Sequence, residues 1–349
     1  MRLFGRKSDD GGADPAERVA GFWQWWESAR PELDAAVAAG ERDKQAELLG
    51  PAVAAIHPDL VWELAPGTEA AHALVVTAAG DAELRPLAHR WARAAPPADL
   101  LWEFHPSRRA SARPGDLTLE AGGLAFGLDK LVLGLRVPRG GLRVDVSAYH
   151  PVFGELDEDA RMDATLLALD RLLGEDDVAR WVGEITPAAS APIDAVPAVH
   201  LPAVVADVAA DHETGQWATL EGRTATGAPL AAATRYPLRP VDHPLLDQHI
   251  AVTLPYRDKD GGGLPVGGSL AALRAFEERL DERLRALGEE AVLAAHLSAE
   301  RRRVMHVYAT AESGAAAAIK ELAATWKEGR ARVDVSADPA WSAVAPFLA

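Results

Sequence analysis

Between His249 and Ser336 the spacing of apolar residues switches repeatedly between two periods, and this restricts the fold more than any other feature of the chain. HIAVTLPY (249–256), VLAAHL (292–297), RVMHVYAT (303–310) and RVDVS (332–336) alternate every second residue and are rich in β-branched and aromatic side chains, as strands are. Leu270, Leu273, Leu280, Leu284 and Leu287 recur at helical spacing from Ser269 to Leu287, with Gly288 as the stop, and a second helix fits from about Ser313 to Trp326. The order is β-α-β-β-α-β, the ferredoxin-like split motif. A hairpin precedes it in WATLEGRTATGAPLAAATRYPL, turning near Ala225 to Gly227.

The first half mixes its elements differently. Residues 16–39 and 41–56 read as helices, and LVWEL (60–64), ALVVTA (73–78) and LLWEF (100–104) as strands. KLVLGLRV and GLRVDVSAY form a hairpin across PRGG, a helix runs from Asp157 to Leu173, and WVGEI follows as a strand. Pro187, Pro192, Pro197 and Pro202 then recur every five residues, which suits an extended linker. The chain's 349 residues exceed what one core usually organises. The expected layout is α+β with two mixed antiparallel-sheet domains: a disordered tail over 1–15, an N-terminal domain over 16–186, a Pro-rich linker over 187–203 and a C-terminal ferredoxin-like domain over 204–349.

Three of the ten tryptophans fall within GFWQWWESARPEL (21–33). Steps of about 100° per residue from Phe22 put Trp25, Trp26, Ala29, Leu33, Ala36 and Val37 on one face, with Trp23 at its edge and Pro31 opposite. A helix docked on a core is expected, because a cation cage needs rings from several segments.

The chain carries 36 Lys and Arg against 52 Asp and Glu, a formal charge of −16. That field repels phosphate backbones, so no nucleic-acid partner is expected. The chain has no cysteine, which excludes disulfides, thiolate metal sites and cysteine nucleophiles and fits a reducing cytoplasm. The opening MRLFGRKSDDGGADP lacks the apolar region of a signal peptide, and no uninterrupted apolar run reaches about 18 residues. A cytoplasmic protein without a membrane association is the expectation.

ELDEDARMD (155–163) gathers five carboxylates. Such a run serves either a divalent cation or, in a first helical turn, the helix dipole, and the second role is expected. DKDGGGLPVGGSL lies between strand and helix, where phosphate loops lie, yet it lacks a GKS or GKT ending and the GxGxxG spacing. No cofactor is expected there, and Ser269 is read as an N-cap. No GxSxG elbow occurs, and no catalytic residue is assigned.

The richest constellation belongs to the C-terminal sheet. If helices cover Ile250, Val252, Leu254, Leu293, Met305 and Val307, alternation brings His249, His296, His306, Tyr308, Arg332 and Asp334 to the other face. That face could pack on another part of the chain, dock another protein, or hold a metal through its histidines. The expectation is a non-catalytic protein-binding or regulatory module. The alternative is a metal-dependent hydrolase centred on His249, His296 and His306.

The residues also carry a resemblance. FWQWW, DLVWELAPG, LVVTAAGD, RAAPP and LLWEFHPSR look like the N-terminal half of a family of uncharacterised bacterial proteins, and ALDRLLGEDDVARWVGEI continues the similarity. WATLEGRTATGAPL, the GLP at 263–265, MHVYAT and the DPAW at 338–341 are similar to domain of unknown function 695. The resemblance spans most of residues 20–348. It implies a pair of domains whose second resembles in fold the protein inhibitor of ribonuclease E, and it supplies no catalytic residues.

Overall fold

The computed structural model describes residues 14–210 and 215–348, so all but the end of the expected tail (1–15) lies outside the described residues. Asp14 accepts a hydrogen bond from Ala16 N, and Pro15 opens α1 (Pro15–Ala38), so the last two residues of that stretch start a helix. Contacts divide the chain into two units: residues up to Ala79 with Leu87–Ser107, and Gly80–Pro86 with the residues from Arg108 on.

The first unit contains α1, α2 (Arg42–Ala54), β1 (Val61–Pro66), β2 (His72–Thr77), most of α3 (Arg85–Arg93) and β3 (Trp102–His105). The strands form one sheet in the order β1-β2-β3, the first pair antiparallel and the second parallel. α1 continues through Pro31, which faces solvent. Its buried face is rotated from the expected one, because Trp23 is buried with Phe22 and Trp26 while Trp25 is half-exposed. The cause is Trp91 of α3. Trp23 stacks on its ring at 5.0 Å and donates Nε1–H to its carbonyl at 3.0 Å. Trp26 meets Trp102 and Phe104, each at 5.2 Å and nearly perpendicular. Rings do converge from three segments, but they fill one another's space as a core.

In the second unit, β4 (Thr118–Ala121) and β5 (Leu124–Gly127) form a hairpin that the sequence reading did not anticipate. β6 (Val132–Arg136), β7 (Val144–Tyr149), α4 (Glu158–Leu173), α5 (Glu175–Trp181), β8 (Val182–Pro187), β9 (Val196–Pro197) and α6 (Leu201–Ala210) follow, with the sheet order β8-β7-β6-β9. Asp157 caps α4 by accepting from Ala160 N, with Glu158 and Asp159 in the first turn, so this acidic run starts a helix. The proline-spaced stretch bends at Ala189 and Ser190 and turns at Ile193–Asp194, where Ala195 N donates to Pro192 O. It pairs with β6 through Val196–Pro197 and then leads into α6, where Pro202 takes an early position that tolerates its missing N–H. Leu201, Val205 and Val208 are buried with Leu133, Val144 and Leu169 in one core.

The rest of the unit contains β10 (Gln216–Arg223), β11 (Pro229–Tyr236), β12 (Gln248–Pro255), α7 (Gly267–Ala286), β13 (Ala291–Ala299), β14 (Arg302–Ala309), α8 (Ala315–Ala323) and β15 (Arg332–Ala337). All the strands join one antiparallel sheet, ordered β10-β11-β13-β14-β12-β15. α7 and α8 pack on one face, where Leu273, Phe276, Leu280 and Ile319 meet Ile250, Val252, Met305 and Val307. Among the described residues, no helix is long and apolar enough to cross a membrane.

The aromatic core of the first unit gives a direct test. Trp26→Ala is expected to cost about 3–5 kcal/mol, and Trp26→Phe clearly less, because Trp26 Nε1 is buried without a partner. Urea unfolding followed by circular dichroism measures both.

Candidate functional site

β12 and β14 pair so that His249 stands opposite Tyr308 and Ala251 opposite His306, which puts the three side chains on one face. They are not open to solvent: His249 is 7% exposed, His306 8% and Tyr308 0%. The chain covers its own sheet. Leu238, Leu246, Trp341 and Val344 are buried against Val292, Ala294, Ala295 and Tyr308. Trp341 lies flat on Tyr308 at 3.9 Å and donates Nε1–H to Leu246 O at 2.8 Å. Tyr308 OH donates to Asp338 Oδ2 at 2.6 Å, and that carboxylate also accepts from Ser342 N and Ala343 N. His249 Nε2 and His306 Nδ1 share a hydrogen bond of 2.9 Å. Burial lowers the pKa of both rings, and the neighbouring His249 helps bring His306 down to about 4. At neutral pH the pair is uncharged, and its surroundings hold the C-terminal turn on the sheet.

His296 is not part of this group. Between Leu293 and Ala295, β13 shifts register against β14, so that Ala295 faces His306 and His296 faces Met305. The extra residue, Ala294, turns His296 to the α7 side. There His296 Nε2 lies 3.5 Å from Glu277 Oε1, and the same oxygen accepts from Arg303 Nη1. Arg303 Nε donates to Ser298 Oγ at 2.9 Å. Burial raises the Glu277 carboxyl against the pull of Arg303, and burial with the Arg303 charge lowers His296 to about 4. Arg332 and Asp334 do lie on the predicted face, since Asp334 is opposite Ala251, but they occupy the outer strand β15. They are exposed there and pair with each other at 2.7 Å.

The three histidines therefore do not converge, and among the described residues no group of three or more His, Asp or Glu is placed to hold a metal ion. The glycine loop before α7 is occupied by its own side chains. Asp260 Oδ1 accepts from Gly262 N and Leu264 N, while Ser269 Oγ accepts from Arg257 N and Asp258 N and donates to Glu328. Ser269 thus ties the loop to the helix instead of capping it; the helix begins at Gly267. Another buried carboxyl, Asp170, is pushed up to about 7 by burial and the Glu175 charge, with Arg108 Nη1 3.2 Å away. Glu175 is itself tied to Gly80 N and Arg108 N, so this cluster pins chain segments together.

The feature that sequence reasoning missed is at the other end of the sheet. α7 does not reach over β10 and β11, and a cleft of about 320 Å³ opens beside it, lined by Trp217, Ala233, Glu277, Glu278, Asp281, Leu293 and His296. Trp217 is 42% exposed, 5.9 Å from the His296 ring, with Arg235 Cζ 5.7 Å from its centroid. Leu220, on the opposite face of β10, is 43% exposed. The signal for this site was an exposed aromatic in WATLEGR, a strand with no apolar face to place it.

Fold and site together define a protein of mixed helix and strand with a self-covered sheet face and, among the described residues, an unpaired sheet edge. Residues 238–349 match the model of DUF695, a family of unknown function. No curated protein matches the chain, and no solved structure does. The matched segment runs from Leu238 through the buried C-terminal turn, so it includes the covering segments as well as the four strands β12 to β15.

The lowered histidines set a pH dependence. Between an unfolded pKa of about 6.5 and a folded value of about 4, unfolded His306 binds a proton that the folded ring refuses. Its stability contribution is full above that window and is lost as pH falls through it. The drop in melting temperature from about pH 7 to about pH 5 is expected to be smaller in His306→Gln than in the unaltered protein. Thermal melts at both pH values check this.

Proposed function

We propose that this chain is a non-catalytic module that binds another polypeptide, taking it as an added strand along β10. One observation carries the reading: β10 ends the sheet with eight residues in unbroken register, without proline, and with Trp217 and Leu220 exposed. An edge left in this state is a template for another strand, and proteins ordinarily blunt such edges. The opposite edge is blunted by the charged pair Arg332–Asp334. The acidic cleft adds selectivity. A side chain opposite Trp217 on the α7 side meets an indole ring and the Glu278 carboxylate, with Asp281 beside it paired to Arg285, so a basic residue suits it.

On this reading the C-terminal half is a ferredoxin-like docking module, which the strand order β13-β14-β12-β15 with both helices on one face supports. The cysteine-free composition suits a reducing compartment. The rival hydrolase needs His249, His296 and His306 around one ion, and the bulge at Ala294 divides them between two faces.

A photo-cross-linking amino acid placed at Leu220, and separately at Val335 on the other edge, tests the reading in living cells. Polypeptide adducts are expected from position 220 and not from 335, and they should disappear when Ala218→Pro interrupts β10. Equal labelling from both edges, or labelling unaffected by the proline, rules the reading out.

A further inference from the structure

The sequence of β10 also names its occupant. We propose that this edge pairs with β10 of a second copy of the chain, antiparallel, about a two-fold axis that passes through Leu220. The inference rests on the strand-edge reading above and specifies its partner.

Symmetry leaves few registers. Residues directly opposite in an antiparallel pair share a face of the sheet. A two-fold axis perpendicular to the sheet maps each face onto itself, so an odd-numbered residue can stand only opposite an odd-numbered one. The axis must therefore fall on a residue and not between two. Centred on Leu220, the pairing sets Leu220 against its own copy, Thr219 against Glu221 of the second copy, and Trp217 against Arg223 of the second copy. Both Trp–Arg pairs lie on the α7 side, beside Glu278, where a basic side chain is suited.

The neighbouring registers are worse matched. Centring on Thr219 puts Glu221 against the indole of Trp217 and Leu220 against Ala218. Centring on Glu221 sets two like charges face to face. Centring on Ala218 places Leu220 against Gln216 and carries Arg223 past the end of the strand. Only the Leu220 register joins apolar to apolar and cation to aromatic with no like charges opposed. Arg223 donates to Gly227 O at 2.8 Å within its own hairpin, through one guanidinium nitrogen, which leaves the rest of the guanidinium for the ring.

The absence of cysteine makes the test clean. Opposite Cα atoms in an antiparallel pair are about 4.5–5.5 Å apart, inside the range that a disulfide spans. Leu220→Cys in the full chain is therefore expected to form a disulfide dimer under mild oxidation. Ala218→Cys, on the same face but off the axis, and Val333→Cys, on the other edge, are expected to stay monomeric. Sedimentation of the unaltered protein is expected to give twice the 37.1 kDa chain mass, and Leu220→Lys to weaken association at least about tenfold with its far-UV circular dichroism spectrum unchanged.

Faster cross-linking from Ala218→Cys or Val333→Cys, or a dimer indifferent to Leu220→Lys, overturns the register and the edge. A monomer at roughly 100 μM, well above ordinary dissociation constants, together with a single adduct of a different polypeptide at position 220, overturns the second copy while the strand-edge reading stands. A monomer with no adduct overturns both.

Discussion

The single extra residue in β13 governs how the six-stranded sheet is used. Before the bulge, Leu293 belongs to the α7 side and Val292 to the other; after it, His296 and Ser298 have crossed to the α7 side. Two alanines, Ala294 and Ala295, are buried in one cluster with Tyr308 and Trp341. On the other side, His296, Ser298, Arg303 and Glu277 form a polar seam along the flank of α7. That seam is a boundary, with apolar packing under the helices on one side and the open cleft with Trp217 on the other. The bulge thus makes room for the cover and fixes where the helix layer ends.

The cover is held by chemistry and by shape. Trp341 adopts φ 57°, a conformation that costs a bulky residue roughly 1–2 kcal/mol. Its stack on Tyr308 and its bond to Leu246 O offset that cost. Asp338 accepts from one phenol and two backbone amides at once, so it both starts the terminal turn and ties it to β14. A sheet face satisfied from within its own chain has little to offer a partner.

Much of this was legible from periodicity. The strands β12, β14 and β15 alternate large apolar with polar residues, and each has its expected faces; along α7, Leu273, Leu280 and Leu284 are buried as expected, with Phe276 added and Leu270 outside the core. VLAAHL could not reveal its bulge, because two adjacent alanines give no contrast between faces and the phase after them is unreadable. The burial of His249 and Tyr308 was hidden for another reason. The covering residues 238–246 and 338–348 have no period of their own and act through a few long-range contacts. In α1, the wheel found the apolar arc but misjudged its centre, since the ring that draws Trp23 inward, Trp91, is 68 residues away. β10 was recognised as a strand, yet an edge strand exposed on both faces looks in sequence like any polar hairpin arm.

The two outer strands show how the same constraint is met in two ways. Every open sheet must leave two rows of backbone groups unpaired. At β15 the problem is met locally, by adjacent charges of opposite sign that would have to be desolvated before another strand could approach. At β10 the residues nearest the middle, Ala218, Thr219 and Leu220, carry no charge, and the charged Glu221 and Arg223 sit toward one end. Long-range repulsion between copies of a −16 chain discourages indiscriminate contact at this edge. That repulsion decays within about a Debye length of 8 Å, so once strands are adjacent the outcome depends on which side chains oppose each other. On the pairing proposed above, an uncharged middle and a matched aromatic and cation make β10 selective at short range.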